Sequence, residues 1–212
     1  MRVVVAGGHG QIALHLLRLL AERGDHAVGL IRNPDHAAEL EAVGAEAVVC
    51  DLEEQDNLAG CVAYADAVVF AAGAGPGSGP ERKRTVDLGG AIKLIDAARV
   101  TELRRYLMVS AIGAGDPDAG GEQMRPYLEA KAEADEALAR SGLDFTIVRP
   151  GRLTDDPATG RVSAGSHVEG GDISREDVAA VLLGCLAAPE SVGKTFNVVA
   201  GETEIVEAVT LL

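Results

Sequence analysis

Tyr127 and Lys131 stand four residues apart at the start of a predicted helix running from about Arg125 to Arg140, and Ser110 ends the strand before it. Side chains at i and i+4 share one face of a helix. A parallel sheet carries a strand end and the start of the following helix to the same edge, so the three groups are expected together. Such a group can reduce a carbonyl: Ser110 orients the oxygen, Tyr127 donates the proton and a bound nicotinamide supplies the hydride. A phenol is a weak acid, with an ordinary pKa of about 10. Lys131 can strengthen it. At an effective dielectric near 20, opposite charges about 4 Å apart attract by about 4 kcal/mol, and one pKa unit takes about 1.4 kcal/mol. A downward shift of Tyr127 by about two units is therefore within reach.

The cofactor such chemistry needs has a recognisable cradle in Gly7-Gly8-His9-Gly10-Gln11-Ile12-Ala13, directly after the apolar run Val3-Val4-Val5-Ala6. Gly7 permits the tight turn, Gly10 allows backbone to approach a pyrophosphate, and Ala13 allows close strand-to-helix packing, while free N–H groups and the helix dipole face the anion. Gly7, His9, Gly10, Gln11 and Ile12 are assigned to this site. Nothing marks His9 as a ligand or base, and its side chain is read as pointing to solvent. The second strand ends in Ile31-Arg32-Asn33, with Arg32 where an NAD-specific chain would carry a carboxylate for the ribose hydroxyls. A guanidinium there can pair with a 2′-phosphate and no carboxylate repels it, so NADP is expected over NAD. Asp51, after the third strand and before Leu52, can accept from an adenine amino group or cap a helix. Ala72 and Gly73, within Ala71-Ala72-Gly73-Ala74-Gly75, let the chain pass close to the cofactor's ribose.

The elements that must position these groups alternate along the chain. Strand-length apolar runs at Val3–Val5, Ala27–Ile31, Ala47–Cys50, Ala67–Ala72, Tyr106–Ser110 and Phe145–Arg149 are separated by helical patterns at Ile12–Glu22, Pro34–Ala42, about Glu81–Arg99 and about Arg125–Arg140. This predicts an α/β fold, a doubly wound parallel sheet of Rossmann type, in one domain over residues 1–212. After Arg149 come only the polar, glycine-rich stretch Asp155–Gly171, a helix at Ser174–Leu186 and a strand at Thr195–Val199. No separate substrate domain can be built from these. A minimal C-terminal lid is expected, with the loops Gly113–Met124 and Gly160–Gly171 covering the sheet edge.

Composition excludes several partners. A formal charge of −14 repels nucleic acid, and no basic stripe offsets it locally. No apolar run approaches the roughly 18 residues of a membrane helix, and the first strand begins at Arg2, so a cytoplasmic protein is expected. With 47% hydrophobic but only 3% aromatic residues and no Trp, the core must be aliphatic. Cys50, Cys61 and Cys185 lack metal or redox spacing and are read as reduced core thiols. A small-molecule substrate is expected, and the chain leaves open a homodimer or a regulatory protein partner.

Taken with the segments Val86-Asp87-Leu88-Gly89-Gly90, Met108-Val109-Ser110 and Ser141-Gly142-Leu143-Asp144-Phe145-Thr146-Ile147-Val148-Arg149-Pro150-Gly151, these motifs make the chain resemble the short-chain dehydrogenase/reductase superfamily. The likeness is to its atypical NAD(P)H-binding branch, which includes NmrA-like, biliverdin reductase B-like and flavin reductase-like proteins. The resemblance implies that Pro150 and Gly151 pass beside the nicotinamide and that Lys131 also holds the nicotinamide ribose. It further implies an NADP-dependent oxidoreductase acting on a small carbonyl, quinone or flavin-like acceptor, or else a non-catalytic dinucleotide sensor. Asp87 stands where members with a full catalytic tetrad have Asn. The chain beyond Arg149 is much shorter than in the superfamily's sugar-nucleotide epimerases, so a nucleotide-sugar substrate is not expected.

Overall fold

The computed structural model describes residues 1–75 and 77–212. Nine strands form one sheet in the order β11-β8-β10-β6-β5-β4-β1-β2-β3. Seven run parallel: β1 (Arg2–Ala6), β2 (His26–Ile31), β3 (Glu46–Val49), β4 (Ala67–Phe70), β5 (Arg105–Val109), β6 (Asp144–Pro150) and β10 (Lys194–Ala200). The chain steps outward from β1 through β2 to β3, then returns to lay β4 on the other side of β1. In open α/β sheets ligands sit at the carboxyl ends of the strands flanking such a reversal.

Alternation along β1 divides the core. Val3 and Val5 join one apolar cluster with α1 (Gln11–Glu22), α2 (Ala37–Ala42), α6 (Arg175–Ala187) and α7 (Ile205–Thr210), whereas Val4 and Ala6 join a second cluster with α4 (Ala91–Val100) and α5 (Gly121–Ala139). Strands buried on both faces explain the near-continuous aliphatic runs. In α1 the stripe Ala13, Leu16, Leu17 and Leu20 is fully buried, which fastens the helix to the sheet and fixes where its N-terminus points.

Four expectations change. The helix expected over Glu81–Arg99 begins as the short α3 (Pro80–Arg82), loosens into a π-helical segment, Lys83–Gly90, and only then becomes α4. Gly89 and Gly90 are weak helix formers, and the wider turn carries Asp87 inward to zero exposure. Gly160–Gly171 is not a free lid: it contains β8 (Arg161–Gly165), antiparallel to β10, because Val162 and Ala164 alternate inward onto the first core cluster. The tail also holds β7 (Arg152–Thr154), β9 (Asp172–Ser174), β11 (Thr203–Glu204) and α7. Finally, Cys50 and Cys61 are joined as a disulfide, with Cα atoms 6.5 Å apart, and only Cys185 is the buried free thiol expected of all three. The 11-residue separation and the sharp turn after β3 bring the first two together. No helix among the described residues is long and apolar enough to cross a membrane.

Two measurements check this architecture. A Cβ on Gly8 would lie 2.8 Å from the backbone Cα of Gly29 in β2, where neither neighbour can yield. Gly8→Val is expected to cost at least 1–3 kcal/mol in urea unfolding, on the order of other overpacked sites; an unchanged midpoint would contradict the contact. Alkylation in denaturant without reductant is expected to label one cysteine per chain by intact mass, rising to three after reduction. Three labels at once would mean that Cys50 and Cys61 are not bonded.

Candidate functional site

The turn from β1 into α1 shows how the sequence builds an anion cradle. Gly7 adopts φ +81°, and a Cβ there would meet the Ala72 backbone at 2.6 Å, so the turn lies directly on the end of β4. Gly8 donates its N–H to the Leu30 carbonyl at 2.8 Å and Gly10 donates to Gly7 at 2.8 Å. The first turn of α1 has no side-chain cap and no acidic residue. By contrast α6, in the same chain, is capped by Ser174 and carries Glu176 and Asp177 in its first turn. A helix start left bare at the carboxyl edge of a sheet, approached through glycine backbone, has the donors and the dipole an anionic group requires.

This turn opens onto a cavity of about 340 Å³. Gly7, His9, Gly10, Arg32, Asp51, Leu52, Ala72 and Gly73 all line it, so eight of the residues expected at the cofactor converge there. Gln11 and Ile12 do not, and the Ile12 side chain packs into the core, leaving its backbone N–H as the part that can serve. His9 is half-buried instead of simply solvated: its ring stacks on His36 with centroids 3.5 Å apart, and its Nε2 lies 3.0 Å from Glu39 Oε1. Asp51 caps its own turn, accepting from the Glu53 N–H at 2.8 Å while still lining the cavity.

One expectation about the cavity is overturned. Arg32 was expected to stand without an opposing carboxylate, but Glu53 reaches the same rim from the turn after β3, its Oε2 3.7 Å from Arg32 Nη1. Arg82 donates to the same oxygen at 3.1 Å, and the Thr85 hydroxyl donates to Oε1 at 2.7 Å. His36, Glu53 and Arg82 are thus cavity residues that sequence reasoning missed. They lie on three separate segments, and no local pattern connects them.

The second group of expected residues forms a buried polar chain under α5, outside this cavity. Lys131, 3% exposed, lies 3.2 Å from the fully buried Asp87 and donates to the Val109 carbonyl at 3.2 Å. Its ammonium sits 5.8 Å from the centre of the Tyr127 ring and 5.6 Å from that of Phe70. Asp87 turns its other oxygen to the Ala74 N–H at 3.0 Å, which ties the chain to a residue lining the cavity. One helical turn beyond Lys131, Asp135 accepts from the Ser110 hydroxyl and from Arg149 Nε, both at 2.9 Å. Asp135 and Arg149 were also missed. Asp135 could have been found, since it continues the Tyr127, Lys131 face at the next i+4 step.

Electrostatics here differ from the sequence expectation. Burial raises the Tyr127 phenol above its ordinary range, and the opposing pull of Lys131 is further offset by Asp87 and Asp135. Burial alone would lower Lys131, yet Tyr127, Asp87 and Asp135 together keep it above its ordinary value and so charged. Burial likewise lifts Asp135, against the bonds from Ser110 and Arg149. The downward shift of Tyr127 does not occur, because burial outweighs the pull of Lys131, which Asp87 and Asp135 also oppose. Pro150 ends β6 and Gly151 follows it, where the Gly151 N–H donates to the Val198 carbonyl at 3.0 Å and a Cβ would clash with the Gly171 carbonyl. That glycine is required by packing in the sheet.

Comparison with known proteins agrees with this geometry. The uncharacterized sugar epimerase YhfK of Bacillus subtilis is 39% identical over the full length of both chains. A solved structure described as an NAD-dependent epimerase/dehydratase from Bacillus halodurans is 43% identical, superposes with a TM-score of 0.96 and is covered fully in both directions. The oxidoreductase ylbE from Lactococcus lactis is 28% identical with a TM-score of 0.89, over 100% of this chain and 96% of that one. The NAD(P)H-binding family pattern matches residues 7–189, from the glycine turn to beyond α6. A bare helix start over a glycine turn at the sheet's reversal, together with that match, places this chain in the NAD(P)H-binding family.

Proposed function

We propose that the protein is an NADP-dependent oxidoreductase of the short-chain dehydrogenase/reductase type, acting on a small carbonyl, quinone or flavin-like acceptor. The observation that carries this reading is the uncapped start of α1, open on a cavity whose wall residue Ala74 is bonded to the Asp87–Lys131 pair. Gly7, Gly10 and the first N–H groups of α1 would hold the pyrophosphate. Asp51, Leu52, Ala72 and Gly73 would line the adenosine half, and Arg32 would favour a 2′-phosphate. The bound nicotinamide supplies hydride to the acceptor.

What the chain itself contributes is positioning and a proton. Lys131 is a fixed positive charge, anchored by Asp87 and the Val109 carbonyl beneath Tyr127. The raised phenol keeps its proton at neutral pH and can release it only to an oxygen that becomes strongly basic. Ser110 has spent its single hydroxyl proton on Asp135, so any further partner must donate to it. These two features favour, as a second reading, an acceptor that takes hydride without a proton from Tyr127, as a flavin-like ring can.

Calorimetry with NADPH tests the cradle. Gly10→Val, whose added Cβ meets the Gly7 carbonyl at 3.1 Å and that of Ala71 at 3.8 Å, is expected to remain folded by circular dichroism while losing at least tenfold in affinity. A folded variant with undiminished affinity would contradict the assignment. Turnover against quinones, aldehydes and flavins tests the chemistry. Tyr127→Phe is expected to lower the rate by about 10²–10⁴ with affinity unchanged, the range for a positioned general acid, whereas Lys131→Met should damage both. Wild-type turnover by Tyr127→Phe selects direct hydride transfer, and binding without turnover of any acceptor selects the sensor.

A further inference from the structure

At one rim of the cavity a single carboxylate gathers two guanidinium groups. Glu53 Oε2 accepts from Arg82 Nη2 at 3.1 Å and lies 3.7 Å from Arg32 Nη1, while Oε1 accepts from Thr85 at 2.7 Å. Its main chain is fixed as well, since Lys93 Nζ donates to the Leu52 and Glu53 carbonyls at 3.1 and 2.9 Å. Arg32, Arg82 and Glu53 come from the ends of β2 and β3 and from α3. The three side chains are partly exposed, and all three line the cavity.

The formal charge of the three is +1, and the two kinds of dinucleotide meet it differently. A phosphate monoester brings nearly two negative charges and three acceptor oxygens. To be held it must draw Arg32 and Arg82 away from Glu53 and then sit beside that carboxylate. A ribose hydroxyl brings one donor, and a carboxylate with about four lone-pair sites can accept it while keeping its arginine and threonine partners. Arg32 and Arg82 thus favour the phosphate, and Glu53 opposes it.

We propose that Glu53 is a specificity-determining residue that reduces an otherwise strong preference for NADP to a weak one, so that the protein binds both NADP and NAD. This rests on the dinucleotide reading of the cavity, but not on any reaction. Because Glu53 is held in place by Thr85 and Lys93, it is a fixed element of the rim. Arg82 acts as the second phosphate-binding group beside Arg32.

The test is calorimetric titration of the full chain with NADP and NAD, and with 2′,5′-ADP and 5′-AMP as probes of this rim. Wild type is expected to bind NADP and NAD within tenfold of one another. Glu53→Gln keeps the shape and removes the charge, and should raise the NADP/NAD affinity ratio at least tenfold, with the same trend for 2′,5′-ADP over 5′-AMP. Arg82→Gln should lower both ratios. If Glu53→Gln fails to fold, Glu53→Asp, which draws the carboxylate back from both arginines, decides by whether it raises the NADP/NAD ratio. Loss of affinity for both cofactors in equal measure, or an unchanged ratio, overturns the proposal while leaving the cavity assignment standing. Failure of wild type to bind any of the four overturns both.

Discussion

Two contacts between backbones, Gly7 on Ala72 and Gly8 on Gly29, set the start of α1 between the strands that flank β1. Side chains at these positions would push the helix away from the sheet, and its bare N–H groups would no longer face the space above the reversal of strand order. The cavity follows from this placement. Its walls are the ends of β1, β2, β3 and β4, and its charged rim consists of whatever those strand ends and the following turns deliver. The aliphatic stripe of α1 holds the helix there, since burying Leu16, Leu17 and Leu20 offsets the cost of a first turn whose N–H groups have no side-chain cap.

The polar chain beneath α5 is the other costly feature of the core. Asp87, Lys131 and Asp135 are almost wholly removed from water, which is tolerable only because each charge faces an opposite one: Asp87 with Lys131, Asp135 with Arg149. Pairing of this kind is specific in geometry and fixes α5 against the ends of β5 and β6. It also determines the character of Tyr127. The lysine that the sequence places beside the phenol is already matched by a carboxylate, so burial sets the direction of the shift.

The parallel sheet, the glycine turn and the order of helices were legible because each rests on local periodicity: continuous aliphatic runs for strands buried on both faces, and a stripe of Leu for α1. The convergence of Ser110, Tyr127 and Lys131 toward one edge was legible from topology and i, i+4 spacing. What was hidden depends on contacts distant in sequence. Glu53 meets Arg32 across 21 residues and Asp87 meets Lys131 across 44, and neither pairing has a local signature. The disulfide was hidden for the same reason, since its closure depends on how the turn after β3 folds. β8 escaped because only Val162 and Ala164 mark its inward face, and a pattern that short is indistinguishable from a loop.

The way the sheet ends has a bearing on how the protein behaves when concentrated. An exposed strand edge offers unpaired N–H and C=O groups on which a second chain can add, and long flat apolar edges seed aggregation. Here one border is β11, two residues long, bearing Glu204 and passing directly into α7. The other is β3, four residues long, opened by Glu46 and bent away after Val49 by the disulfide-closed turn. Neither edge is long enough to template a neighbour, and a formal charge of −14 keeps like molecules apart. Short, charged borders of this kind disfavour growth of the nine-stranded sheet by addition of a second chain.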